Sequence, residues 1–139
     1  MPIAKLLIAY LLISLVFFLI DMIWLGWLAK DLYQKNLAHL LSPTVNWTAA
    51  AIFYALYIIG IMVFCILPAV DKGSLSYAIT YGAFFGFITY ATYDLTNLAT
   101  LRDWPVKVVL MDISWGAVLC LTVSTAGYYI VQWLSPAVQ

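Results

Sequence analysis

The chain has 139 residues, 66% of them hydrophobic and 9% charged, with a formal net charge of zero and a mean hydropathy of +1.03. A soluble domain of this length has too much surface for its volume to absorb such an apolar load, so the composition excludes an ordinary water-soluble fold. Balanced charge without a Lys/Arg-rich run gives no support to nucleic acid or to a polybasic lipid anchor, and leaves the lipid bilayer as the expected partner.

The N-terminal run MPIAKLLIAYLLISLVFFLI begins like a secretory signal, with a charge ahead of an apolar stretch. It continues to about Leu28, interrupted by Asp21, and a bilayer span takes about 20 apolar residues where a signal core takes about 7–15. Residues 6–28 therefore read as a retained first span. Residues 30–46 form the long connection, in which Leu32, Tyr33, Leu37, Leu40 and Leu41 recur at near-helical spacing beside Lys35 and His39. That pattern fits a short interfacial helix and fits equally an ordered loop anchored by leucines. Asn46-Trp47-Thr48 matches a glycosylation sequon, but an Asn just ahead of a span is also a good helix N-cap.

Three more spans follow, at residues 47–67, 75–101 and 106–134. Pro68 with the DKGS run (71–74) marks the turn after the second, and RDWP (102–105) joins the third to the fourth. Links this short force neighbouring helices to run antiparallel, so the expected architecture is an all-α membrane protein. Its four transmembrane helices form an up-down bundle, with one domain over residues 1–139. Lys30, Lys35, Arg102 and Lys107 lie in the first and third connections, against Lys5 and Lys72 on the other side. Basic residues favour the cytoplasmic side, which puts both termini in the periplasm. Trp24, Trp27, Trp47, Trp104 and Trp133 fall near span ends and read as interfacial anchors.

Of the six acidic residues, Asp21, Asp94 and Asp112 lie inside spans, while every Lys and Arg lies at a boundary. An aspartate at the centre of a membrane helix costs about 2.5–3.5 kcal/mol on the insertion scale, against about 0.3–0.6 kcal/mol gained per Leu or Ile. Counted from the ends at the first and third connections, each acid comes out about 12 Å deep at 1.5 Å per residue. Helices of alternating direction need not align their acids, and this alignment is what a shared site between helices requires. Asn97 and Tyr90 stand three after and four before Asp94, on the carboxylate's face. Trp24 and Trp115 each stand three residues after an acid, in DMIW and DISW, an echo too short to establish a repeat.

Carboxylates buried together without a cation must share a proton or hold a cation, so proton or cation handling is the expected chemistry. Lys107, about 7.5 Å along the axis from Asp112, is the one nearby candidate partner. Asn or Ser would join helices more cheaply than Asp, so cost favours a functional site over interhelical glue. Ser114, Thr122, Ser124, Thr125, Tyr128 and Tyr129 make the fourth span polar, facing the bundle interior or a partner subunit. Gly82 and Gly86 form a GxxxG motif, a candidate contact for a homo-oligomer. Cys65 and Cys120 read as small buried hydrophobes, and His39 as polar surface. No phosphate loop, GxSxG, HExxH or CxxC is present, and no cofactor is implied beyond a bound proton or cation.

The segments YATYDLTNLATLRDWP (90–105) and LMDISWG (110–116) resemble a family of small predicted bacterial membrane proteins of unknown function. The likeness covers nearly the whole chain and implies a four-helix, multi-pass protein of the bacterial inner membrane, with no activity to carry over. The leading expectation is a transporter-like or ion-handling bundle with a site of Asp21, Asp94, Asn97, Asp112, Tyr90, Trp24 and Trp115. The alternatives are a membrane-embedded enzyme on a lipid or isoprenoid-like substrate, with Asp94, Asp112 or Asp21 as general acid and base, and a structural subunit of a larger complex.

Overall fold

The computed structural model describes residues 1–136, which are helical throughout their ordered elements and contain no strand. Helix α1 (Ile3–Ile23) ends in one π-helical turn, Trp24–Leu28, where the Ala29 amide reaches back to the Trp24 carbonyl at 2.8 Å. The wider turn stops the first rod and lets α2 (Lys30–Leu37) fold back against the start of α6. Helix α3 (Trp47–Ile61) opens with Asn46 as its N-cap, the side-chain oxygen accepting from the Ala49 amide at 3.1 Å. A second π turn (Met62–Ile66) leads into α4 (Leu67–Asp71). Helices α5 (Leu75–Thr100) and α6 (Val106–Leu134) complete the chain.

Three rods are long and apolar enough to cross a bilayer: Ile3–Leu28, Trp47–Asp71 and Val106–Leu134. Helix α5 matches them in length, at 26 residues, but its hydroxyls with Asp94 and Asn97 make it less apolar. Pro68 does not end the second rod, contrary to the reading of it as part of the turn. Proline lacks an N–H and crowds the carbonyl four residues back, so the backbone loosens into the π turn just upstream and then continues. The reversal lies at Lys72 and Gly73, with Gly73 at a φ of +59°, where a glycine meets no steric penalty.

Helix α6 is the centre of the assembly and holds more of the buried positions than any other element. It packs closest against α5, because Gly82 and Gly86 on one side and Gly116 on the other let the backbones meet. A Cβ on Gly86 would fall on the Gly116 carbonyl, and one on Gly82 on the Ser124 side chain. The order of these contacts makes α5 and α6 antiparallel. It also corrects the expected role of the GxxxG motif: Gly82 and Gly86 are buried within one chain, so any association between copies must use another face.

One further expectation changes. Trp27, Trp47 and Trp133 are exposed as interfacial anchors would be, but Trp104 is buried and Trp24 half-buried, both turned inward. On the polar helix α6, Ser124 and Tyr128 are buried in the interior, while the hydroxyls of Ser114, Thr122 and Thr125 donate to carbonyls four residues back and are satisfied within the helix. The interior away from α2 is filled by Ala9, Ile13, Ile58, Ile61, Ile66 and Val123, with both cysteines free and buried among them.

Candidate functional site

Asp21, Asp94 and Asp112 are all buried, but their surroundings differ. Asp21, on α1, accepts from the Tyr54 hydroxyl at 3.1 Å and faces the Trp115 indole N–H at 3.4 Å. Asp112, on α6, accepts a short hydrogen bond from the Tyr33 hydroxyl, which in turn accepts from the Trp24 indole at 2.9 Å. The two indoles stack with ring centroids 4.4 Å apart and planes 2° from parallel. The DxxW echo therefore has a geometric meaning. Each tryptophan serves the acid of the opposite helix: Trp115 reaches Asp21 directly, and Trp24 reaches Asp112 through Tyr33.

Helix α2 brings Tyr33 to that position. Tyr33 and Leu37, one turn apart, pack against Trp104, Val108 and Val109 at the start of α6. Burial and the adjacent Asp112 carboxylate push the Tyr33 phenol well above its ordinary range, so it remains a hydrogen-bond donor at physiological pH. Lys107 is exposed, while Asp112 takes its hydrogen bond from Tyr33.

Asp94 is different in kind. It is completely buried, and neither carboxyl oxygen has a hydrogen-bond partner. It faces Asp112 across the α5–α6 seam, with the Trp104 indole beside it, whose N–H is likewise buried without a hydrogen-bond partner. Asn97 is half-buried and makes no hydrogen bond to Asp94, although helical spacing puts it on the same face. Tyr90 points elsewhere, its ring lying where a side chain on Gly116 would otherwise be.

Two cavities reach Asp112, and the first also reaches Asp94. The first, about 480 Å³, is lined on the α2 side by Lys30, Tyr33 and Gln34 and deeper by Tyr54, Tyr93, Asp94, Trp104 and Asp112. The second, about 450 Å³, lies between α3 and α5, lined by Phe53, Tyr57, Thr89, Tyr90, Tyr93 and Asp112. Tyr93 and Asp112 line both. Of the seven residues read from the sequence, Asp94, Asp112 and Tyr90 line a cavity; Asp21, Asn97, Trp24 and Trp115 line neither. Among the described residues, no three Asp, Glu, His or Cys side chains converge closely enough to hold a metal ion.

Sequence reasoning singles out neither Tyr54 nor Tyr93, and reads Tyr33 only as part of the 30–46 pattern and Trp104 only as an interfacial anchor. A signal for Tyr54 existed: the stretch AIFYALYIIG, with no acid, still carries two phenols in otherwise apolar surroundings. Tyr33 has its partner 79 residues away, and no local pattern points to it.

Long apolar helices around a buried, hydrogen-bonded acid site define a helical membrane protein. The chain belongs to the family described as "Predicted membrane protein (DUF2177)", whose model matches residues 6–129, a stretch that includes all three acids and both DxxW segments. No curated protein and no solved structure matches it.

Proposed function

We propose that α5 crosses the bilayer with the other three rods, giving an up-down four-helix bundle, and that Asp94 and Asp112 form a proton-handling site inside a transporter-like protein. The observation that carries this reading is Asp94: fully buried, opposite a second carboxyl group, with no donor to either oxygen. A carboxylate left without hydrogen bonds in an apolar interior is costly, and a proton held between two facing carboxyls removes most of that cost. The distribution of Lys and Arg supports a bacterial inner-membrane orientation with α2, and so the mouth of the first cavity, on the cytoplasmic side. Interior placement of the acids favours a working site over a scaffold, which would present them outward. The groove between α3 and α5 favours a second reading, a membrane-embedded enzyme using the same pair as general acid and base on a lipid-borne substrate.

Asp94→Asn tests the first reading, because it keeps the shape and removes the exchangeable proton. Wild-type protein in liposomes is expected to show a carboxyl stretching band that responds to bulk pH, and a change of internal pH under an imposed gradient. The variant is expected to lose both. An unchanged band together with unchanged proton flux overturns the proposal.

A further inference from the structure

Two polar groups in the first cavity, the Asp94 carboxyl and the Trp104 indole N–H, are buried side by side without partners. Native interiors rarely leave such groups unpaired, and a pair of this kind lining a cavity is a mould for a ligand atom. The missing atom must accept from an indole and donate to a carboxyl group. A hydroxyl does both. An ammonium group cannot accept, and a phosphate oxygen would stand against two carboxyl groups with nothing to donate.

The second cavity supplies the rest of the ligand. Two of its polar groups are turned to each other: the Tyr57 and Thr89 hydroxyls are 2.7 Å apart, and Thr89 also donates to the Phe85 carbonyl. What it offers an occupant is ring faces and methyl groups, suited to a hydrocarbon chain. Phe53 and Tyr93 are exposed at its edge, on helices that lie in the bilayer in the proposed arrangement, so the groove opens sideways into lipid. It adjoins the first cavity, with Tyr93 and Asp112 lining both. Each volume lies within the range of small-molecule sites, about 300–1,000 Å³.

We infer that the two adjoining cavities together bind a hydroxyl-bearing single-chain membrane lipid, its headgroup hydroxyl between Asp94 and Trp104 and its chain in the groove between α3 and α5. The ligand enters laterally from one leaflet, and Lys30 and Gln34 stand at the polar rim where the headgroup meets water. This assignment rests on the reading of Asp94 and Asp112 as a working site, and it names what that site receives.

The test uses the full chain in phosphatidylcholine vesicles with a monoacylglycerol carrying a photoreactive diazirine in its chain. After irradiation, the label is expected on the α3 and α5 peptides around Phe53, Tyr57, Thr89 and Tyr93. Unlabelled monoacylglycerol is expected to compete about tenfold better than the fatty-acid methyl ester of the same chain, which cannot donate. Thr89→Phe, which fills the groove, is expected to remove the label, and Asp94→Leu to erase the preference for the alcohol. Label spread evenly over all lipid-facing helices, or equal competition by the ester in wild-type protein, overturns the assignment whether or not the variants fold. Failure here with the pH-responsive carboxyl band intact leaves the proton-site reading standing. Specific labelling without that band leaves the lipid site standing and removes the proton reading.

Discussion

At the end of the assembly that faces α2, Asp21, Asp94 and Asp112 stand among Tyr33, Tyr54, Trp24, Trp104 and Trp115. The opposite half is closed by Ala9, Ile13, Ile61, Ile66 and Val123, with Gly127 against Ile66. The first half holds two cavities and three buried acids, whereas the second packs aliphatic side chains against small residues, with the Ser14 and Ser124 hydroxyls as its unpaired polar groups. Polar burial costs stability and aliphatic packing supplies it, so the two halves divide the work: one tolerates an expensive site because the other holds the helices together. The division also bears on mechanism. Access from one face and from the side, with an apolar seal beyond, suits binding and proton exchange better than an open channel.

Substitutions on either side of the seal put this comparison at risk, and detergent unfolding gives a common scale. Gly86→Ala has the largest expected effect, about 3 kcal/mol of lost stability, because its methyl group meets the Gly116 backbone and backbone cannot step aside. A near-neutral result would mean that the α5–α6 seam does not hold the halves in register. Tyr33→Phe is expected to cost about 2 kcal/mol, since it leaves both Asp112 and the Trp24 indole without a partner. It also carries a pH signature. The folded-state phenol titrates above its ordinary value of 10.0, so its contribution is complete below that pH and is lost as pH rises beyond it. Alkaline destabilisation that is smaller in Tyr33→Phe than in wild type, measured from pH 8 upward, checks the sign.

Gly127→Ala in the aliphatic half is expected to cost only about 1 kcal/mol, because its neighbour is the end of the flexible Ile66 side chain. A cost as large as that of Gly86→Ala would show the seal to be more rigid than its composition implies. Asp94→Asn has the smallest expected effect on unfolding, within about 0.5 kcal/mol or slightly stabilising, since no hydrogen bond is lost and a buried acid is replaced by a neutral amide. A loss of more than about 2 kcal/mol would mean that Asp94 serves structure after all.

The sequence disclosed the apolar class, the long helical segments and the three acids, because each rests on local composition and on the high cost of a carboxyl group in a bilayer. The N-cap at Asn46 was legible for the same reason, being a contact between residues 46 and 49. Readings that needed a partner failed. Gly82 and Gly86 look the same whether they meet α6 or a second copy, and only the fold tells these apart. Trp104 follows a turn, as an interfacial anchor would, yet packs inward beside Val108. Counting residues placed the acids at one depth but could not say which way each pointed. Depth is set along one helix, whereas direction depends on how that helix is rotated against its neighbours.

The stacked indoles give the site an optical voice of its own. Trp24 and Trp115, at 4.4 Å and nearly parallel, are close enough for their electronic transitions to mix. Because one follows Asp21 on α1 and the other Asp112 on α6, the resulting exciton signal in circular dichroism reports whether those two helices are in register. The protein thus carries a label-free gauge of its own acid site, readable while ligand, pH or lipid is varied.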